Sequence, residues 1–345
     1  MIYKHYIVKA TILSFALLFV SCYTRTPNTI GMSDLNISKE ENFQIVDSIA
    51  IPLPFNLWDW KILKDSTIVF FSQDMDSYCT IFDCKNSSIK YTMAQKGKGN
   101  EEYLTCNWCK ITDTNRIALY DIMRKTLNVY IIEEYEYKKV ASYLLPTDKD
   151  GLTRPYTNIL RYDGSIFLMK EDGTETNLRL VDLNDNNEIA SYHCSFRDGK
   201  EGSYTPYDYL FHVINDKIII AYCYYDRIEI LQINENGISP ISIYGEDNSF
   251  MIPENYDELK YHSLYIETKE NNFYILRSSD GGEDGDEILV FNVDDNDFSL
   301  IKLQNKIKLF GFDSDDNLLG YNESDAGTII YRYKPFKTVL KTNSK

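Results

Sequence analysis

The sequence predicts an all-β fold in which one four-stranded unit recurs along the chain. The unit is clearest between Asn107 and Pro146, where four short runs with alternating apolar residues are separated by turn residues. Strands of about six residues joined by tight turns, in roughly forty residues, are typical of one blade of a β-propeller. Aromatic residues, which β-sheets favour, are abundant, with 28 Tyr and 17 Phe in 345 residues.

Degenerate copies of this unit account for most of the other apolar runs. The complete copies cover residues 58–93, 107–145, 157–194, 209–244 and 261–303. Turn residues such as Asp163-Gly164 and Asn215-Asp216 separate the first two strands of each copy.

The last copy, residues 307–333, contains only three predicted strands, which would leave an open sheet edge. The alternating run 43–53 is the candidate to cover that edge. We therefore predict a six-bladed β-propeller of four-stranded blades over residues 43–336, with its last blade closed by the N-terminal strand. A polar tail, residues 337–345, follows.

The N-terminus carries an export signal. Lys4 and Lys9 precede an apolar run over residues 10–20, which is too short to span a bilayer but fits a secretory signal. The run ends at Ser21-Cys22, which resembles the lipobox of bacterial lipoproteins. The resemblance implies a signal peptide over residues 1–21 and lipidation of Cys22. An ordinary cleaved signal peptide is the alternative.

Residues 22–42 have no apolar periodicity, and we predict that they form a flexible tether between the lipid and the domain. No acidic residue follows Cys22 within Tyr23–Thr26. By resemblance to Bacteroidota lipoproteins, this implies a membrane anchor that faces the periplasm. The net charge of −16 argues against nucleic acid as a partner.

The run from Gly97 to Tyr103, followed by strands at Ile117–Asp121 and Leu127–Tyr130, resembles the NHL-type blade pattern. With the lipobox and six units, the chain after Phe43 is similar to the TolB-like six-bladed propeller lipoproteins of Bacteroidota. This resemblance implies the fold and little about function, since propellers host binding proteins and enzymes alike.

The sequence contains none of the common nucleotide-binding or hydrolase motifs. His212 and His262 fall in first strands, which line the central channel of a propeller, so they are candidate channel ligands or bases; structural histidines are the alternative. An acidic run would place Asp280, Glu283, Asp284 and Asp286 together, as calcium requires, but it also fits a hairpin turn. We predict no metal and no cofactor.

Long loops between units predict a binding face. They cover residues 97–106, 146–156, 196–208 and 245–260, and strand polarity places them on one side of the domain. Their aromatic and charged residues suit a polar ligand or a protein. The candidates are Lys98, Glu102, Tyr103, Arg154, Tyr156, Arg197, Tyr204, Tyr207 and Tyr256. Packing of these loops on each other is the alternative.

Two classes of function remain. The first is a lipid-anchored binding or scaffold module for a protein, peptide or glycan. The alternative is a propeller hydrolase or lyase with its site at the mouth of the central channel. Few histidines and no nucleophile motif favour the binding module.

Overall fold

A computed structural model describes most of the chain. The described residues are 28–51, 57–63, 67–73, 75–113, 115–147, 151–152, 154, 156–171, 177–194, 208–245, 258–324 and 327–336. Cys22, the whole predicted signal peptide (residues 1–21) and the tail 337–345 lie outside them. No helix among these residues is long and apolar enough to cross a membrane.

The described residues form β-strands and one three-residue 3-10 helix, Met32–Asp34. In chain order, the first strands are β1 (Asn28–Ile30), β2 (Ile37–Ile51), β3 (Leu57–Ile62), β4 (Thr67–Ser72), β5 (Ser77–Asp83), β6 (Ser88–Gln95), β7 (Asn107–Lys110), β8 (Arg116–Asp121), β9 (Thr126–Ile132), β10 (Tyr137–Leu144), β11 (Tyr156–Asp163), β12 (Ile166–Glu171) and β13 (Asn177–Asp182). They are followed by β14 (Asn187–His193), β15 (Tyr209–Ile214), β16 (Lys217–Tyr222), β17 (Ile228–Asn234), β18 (Gly237–Tyr244), β19 (Ser263–Lys269), β20 (Asn272–Arg277), β21 (Gly285–Asn292), β22 (Asp297–Ile307), β23 (Leu309–Phe312), β24 (Leu318–Ser324) and β25 (Gly327–Pro335).

Consecutive strands pair antiparallel in groups of four, as the sequence predicts for propeller blades. The order in four sheets is β3-β4-β5-β6, then β10-β9-β8-β7-β11-β12-β13-β14, then β1-β18-β17-β16-β15, and finally β19-β20-β21-β22-β2-β25-β24-β23. The eight-stranded sheets each contain two units. One pair of units is joined where first strands β7 and β11 run parallel, with Cys109 opposite Ile159.

The hydrophobic core lies between the faces of neighbouring units. One cluster joins β4 and β5 to β7, β8 and β9; another joins the units of β11–β14 and β15–β18. Central strands such as β4 are buried throughout because a sheet packs on each face, whereas the outer strand β10 is largely exposed. The side chains are therefore most buried in the inner strands of a unit and most exposed in its outer strand.

A repeated hydrogen bond fixes the hairpin between third and fourth strands. In four units the last residue of the third strand accepts the backbone N–H two positions later, at 2.8–2.9 Å. Asp and Asn favour such turns because their short side chains reach the backbone. The accepting residues are Asp83, Asp182, Asn234 and Asn292.

Strand β2 joins the two ends of the chain. Its first half pairs parallel with β22, from Ile37 opposite Phe298 to Phe43 opposite Leu303. Its second half pairs antiparallel with β25, ending with Ile51 opposite Thr328. One strand thus covers the outer edge of β22 and also completes the sheet of β23–β25.

The predicted tether, residues 22–42, needs correction over its second half. β1 pairs parallel with β18, and β2 begins at Ile37, so residues 28–42 largely belong to the folded domain. Ile30, Met32 and Leu35 pack on the cluster between β15–β18 and β19–β22. The polar sequence of residues 28–42 did not predict these strands, because outer-strand pairing uses backbone groups and requires few apolar side chains.

We predict that removing β2 abolishes cooperative folding. A variant that begins at residue 52 loses the pairing of β2 with β22 and with β25 and exposes the edges of both strands. The net stability of a typical domain is only about 5–15 kcal/mol, so the loss of two strand interfaces should unfold it. The control begins at residue 28 and retains β1 and β2. Circular dichroism should show a sharp thermal transition for the control alone. A similar transition in both would contradict this role for β2.

Candidate functional site

A cavity of about 910 Å³ lies where the first strands converge. Its walls come from β3, β7, β11, β15, β19 and β23 and from the short loops that follow those strands, for example Thr112, Asn215 and Glu270. It opens on the face that carries these short loops. Its size is in the range of small-ligand sites in proteins.

Asp163 and Lys269 line the cavity at the ends of β11 and β19. In addition, five neighbouring first strands each contribute to it one Lys, Arg, His or Glu that directly follows an apolar residue. Each of these residues is flanked by apolar residues on at least one side, as alternation along a strand requires when one face is buried. We call the set the ionisable ring: Lys61, Lys110, Arg161, His212 and Glu267.

Gly311 stands at this level on the remaining first strand, β23. A Cβ added at Gly311 would lie 2.7 Å from Cδ1 of Ile62, so a side chain there requires Ile62 to move. β23 and β3 therefore approach each other closely where the ring has no ionisable member.

Two lysines of the ring are held by main-chain carbonyls. The Lys61 ammonium donates to the carbonyl of Ile111, just beyond β7. The Lys110 ammonium donates to the carbonyl of Ile266 on β19 at 2.8 Å and lies 4.1 Å from the centre of the Tyr265 ring. Burial lowers the pKa of Lys61 to about 8.

Arg161 is fixed by two different neighbours. Its Nε donates to the carbonyl of Gly164 at 2.7 Å, and one terminal nitrogen donates to Asp113 at 3.2 Å. Asp113 lies in the loop after β7, so this ion pair links two units. The guanidinium already has a carboxylate partner, which distinguishes it from the two lysines.

His212 is 2% exposed, and its neighbours hold it neutral. The backbone N–H of Val213 donates to Nδ1 at 3.0 Å, while Nε2 lies 3.5 Å from the Thr268 hydroxyl and 3.8 Å from Glu267. Burial, with a smaller effect of the Lys110 ammonium, lowers the pKa of His212 to about 3. This histidine is a poor general base at neutral pH because its main contact at Nδ1 is a donor.

Glu267 contributes the ring's single carboxylate. The backbone N–H of Thr268 donates to its Oε1 at 3.2 Å, and its partly exposed side chain lines the cavity. Burial raises the pKa of Glu267, although the Lys110 ammonium acts in the opposite direction.

Below the ring the cavity has an aromatic floor. The Tyr265 hydroxyl donates to Asp59 at 2.6 Å, and the Tyr265 ring packs edge-on against Phe310 with centroids 5.6 Å apart. Trp60 donates from its indole nitrogen to the Phe310 carbonyl at 3.1 Å. These contacts connect β3, β19 and β23 and make the floor rigid.

The mouth of the cavity carries more carboxylates than cations, and its Lys269 is paired with Asp316 at 2.6 Å. We call its four carboxylates the rim carboxylates: Asp163, Asp216, Glu270 and Asp313. Asp216 accepts a 2.5 Å hydrogen bond from the Tyr162 hydroxyl, and Asp313 accepts several from Asn317. Within the described ranges, the side chains of Asp163 and Glu270 have no hydrogen bond or ion pair. The cavity thus combines a mostly cationic ring with an anionic rim.

The structure separates the two predicted channel histidines. His212 lies in the cavity wall, as predicted for a first-strand residue. His262 precedes β19 at the opposite end of that strand; its side chain is 30% exposed and its Nδ1 lies 3.9 Å from Asp226. His262 therefore does not line the cavity. The sequence predicted that it lies within a first strand, whereas β19 begins one residue later, at Ser263.

Of the predicted long-loop residues, Lys98 is exposed and Arg154 forms a partly exposed ion pair with Glu171 at 3.3 Å. Glu102 is partly buried and accepts the Gly99 N–H at 2.6 Å, which makes it a turn residue. Arg197, Tyr204, Tyr207 and Tyr256 lie outside the described residues.

Tyr103 and Tyr156 are corrections to the predicted binding face. Tyr156 is 1% exposed within a core cluster, so no partner can reach it. Tyr103 is 4% exposed, and its hydroxyl pairs with that of Tyr130 at 2.7 Å beside a smaller depression of about 360 Å³. Tyr156 is buried because it is the first residue of β11, and Tyr103 is buried because its backbone bridges to Lys96 and its hydroxyl pairs with Tyr130.

The acidic run 280–286 is occupied by local donors. Asp280 accepts hydrogen bonds from Ser278, Gly282 and Lys306, and Asp286 accepts two from Ser279. Across the described ranges, no three His, Cys, Asp or Glu residues are grouped as a metal site requires. Calcium at Asp280, Glu283, Asp284 and Asp286 gains no support from this arrangement.

Sequence reasoning missed four ring members, Lys61, Lys110, Arg161 and Glu267. A signal was present: five of the six first strands carry at least one ionisable residue directly after an apolar one, as in Trp60-Lys61 and Phe211-His212.

The strand order, inter-sheet clusters and central cavity define the class of protein: the chain is a β-propeller. Among solved structures, a "putative exported protein" of Bacteroides fragilis is similar at 12% identity, with a TM-score of 0.54, over 90% of this chain and 99% of that one.

The β-propeller domain of Cps50 (Swd1) from Myceliophteria thermophila aligns at 9% identity and a TM-score of 0.48, over 84% of this chain and 99% of that one. No family model and no curated protein matches the chain. At these identities the likeness to the Bacteroides fragilis protein concerns the fold alone.

We predict that His212 makes the fold sensitive to acid. The unfolded chain gains a proton near pH 6.5, whereas native His212 resists protonation down to about pH 3, so stability falls as the pH drops through this window. His212→Gln removes this effect. Between pH 7 and pH 4 it should lose about 3 kcal/mol less stability than the wild type.

Urea denaturation at the two pH values measures the difference. Thr268→Ala is the matched control, because it removes a contact of His212 at 3.5 Å and keeps the imidazole. The control should show the wild-type loss. Equal losses in wild type and His212→Gln would contradict the assignment.

Proposed function

We propose that this protein is an exported, lipid-anchored binding module that captures a protein, peptide or glycan ligand by inserting part of it into the central cavity. The observation that carries the proposal is the open cavity of about 910 Å³, with an ionisable ring supplied by successive first strands. Ligand sites in proteins typically combine such a concave space with a few fixed polar groups.

The geometry favours binding over scaffolding alone. Lys61, Lys110 and Arg161 are each anchored by a main-chain carbonyl, so their positions are set before a ligand arrives. Pre-organised groups lose little conformational entropy on binding. The loops after β11, β15 and β19 have only two residues each, which leaves the mouth of the cavity open.

The proposal includes six blades, the last completed by β2. Six first strands contribute to the cavity wall among the described residues, and β2 pairs with β25. The TolB-like and NHL-type resemblance of the sequence supports the same number. The lipid on Cys22 and the periplasmic orientation rest on the N-terminal sequence, and the description of a Bacteroides fragilis structure as exported is consistent with them.

The second candidate is a hydrolase or lyase that uses the same cavity. It rests on Lys61, with a pKa of about 8, and Glu267, whose pKa is raised, within one site. Environments that shift an amine and a carboxyl group towards neutrality are found at catalytic acid and base residues. Mass spectrometry of a bound ligand after incubation distinguishes the candidates, since only an enzyme changes its mass.

We predict that the cavity, rather than the long-loop face, captures the ligand. Thr112→Trp places a large side chain at the exposed mouth of the cavity and should weaken binding to glycan or peptide array ligands at least about tenfold. Lys98→Trp places the same large side chain on a long loop and should leave binding unchanged. Loss of binding in the Lys98 variant alone would instead support the long-loop face.

We predict that Cys22→Ser abolishes lipid attachment. Wild-type protein expressed with labelled fatty acid should carry the label and sediment with membranes, while the variant should carry none. Tyr23→Ala is the control, since it changes the adjacent residue and keeps the thiol. Label on the Cys22 variant, or an unlabelled wild type, would contradict lipid anchoring.

A further inference from the structure

Two ammonium groups in the cavity lack a carboxylate partner. Within the described ranges, no carboxylate oxygen lies within 4.0 Å of the Lys61 or the Lys110 nitrogen. Both side chains are partly buried, and lysines withdrawn from water are normally paired with an acid. An anion is the missing counterpart.

Each ammonium keeps donors for such an anion. A lysine has three N–H donors, and one carbonyl occupies a single donor in each case. Lys110 reaches across the channel from β7 to β19, so the two anchors lie on different units. Four donors therefore remain on two cations that the fold holds in place.

Glu267, Asp113 and Asp59 act on Lys61 electrostatically, but from beyond ion-pair distance. His212 is neutral because burial lowers its pKa to about 3. The positive charges of Lys110 and Lys61 act in the same direction. Arg161 is paired with Asp113, and burial raises the pKa of Glu267. Among the described residues, neither lysine therefore has a carboxylate within ion-pair distance, although carboxylates also line the cavity.

The rim restricts the rest of the ligand. A second anionic group at the mouth would face the rim carboxylates, which repel it. Asp163 and Glu270 offer acceptor oxygens without partners in the described part of the chain. Sugar hydroxyls can all act as donors to such oxygens, whereas a peptide backbone brings a carbonyl acceptor with every N–H.

We propose that the cavity binds the acidic end of a saccharide, with one carboxylate between Lys61 and Lys110 and neutral, hydroxyl-bearing sugar units at the rim carboxylates. This inference rests on the proposed binding function and specifies its ligand class. The carboxylate accepts charge-assisted hydrogen bonds from both lysines, which are stronger than neutral ones.

Isothermal titration calorimetry tests the inference with two trisaccharides that share two neutral hexose units. The third, terminal unit is glucuronic acid in one and glucose in the other. Wild-type protein should bind the acidic trisaccharide at least about tenfold more tightly. Lys61→Met and Lys110→Met should each remove most of that preference, and Lys98→Met, on an exposed loop, should preserve it.

The pH dependence supplies a readout that a purely structural lysine would not change. Lys61, with a pKa of about 8, faces Glu267 on β19, Asp113 after β7, Cys109 on β7 and Asp59 on its own strand. Wild-type affinity for the acidic trisaccharide should fall between pH 7 and pH 9 as this amine loses its proton. In Lys61→Met this fall should be much smaller.

Equal affinity for both trisaccharides, or no binding of the acidic one, overturns the inference. Tighter binding of a pentapeptide with a free C-terminus, or of inorganic phosphate, overturns it in favour of that anion. In each of these cases the proposed function stands if array ligands still bind and Thr112→Trp prevents it. If the array ligands still bind to Thr112→Trp, the cavity is not the binding site.

Discussion

The pairing of β2 with both β22 and β25 is the constraint on which the rest of the molecule depends. A row of similar sheets leaves its terminal units unpaired, and unpaired strand edges expose backbone donors and acceptors. Because β2 precedes the first complete unit and ends beside the last, it brings β23 next to β3, where Gly311 permits close contact with Ile62. The first strands can then surround one space.

Convergence of the first strands creates an environment with conflicting demands. Apolar side chains fill the gaps between units. Around the central axis, the side chains of the first strands do not fill the space between these strands, so a cavity remains. Placing two lysines without acid partners there opposes folding. Such residues persist when function benefits from them, and the carbonyl anchors of Lys61 and Lys110 reduce their cost.

The two faces of the domain differ in how they can recognise a partner. The long-loop face includes Lys98 and Arg154, but several of its expected aromatic contacts are core residues, as Tyr156 shows. The short-loop face has a rigid opening, an acidic rim and a cationic interior. Charge separated along the axis of a cavity orients a ligand as well as holding it.

The sequence by itself determined the strands, their grouping in fours and the turns between them. Alternation in runs such as Arg116–Asp121, and turn formers such as Asp83 and Asn292, act locally, so they can be read without the fold. Tertiary structure decided that residues 28–42 join the sheets, that Tyr156 is buried and that His262 lies outside the cavity. It also assembled Lys61, Lys110 and Glu267 into one site, because residues about fifty to two hundred positions apart meet only when the ring of sheets closes.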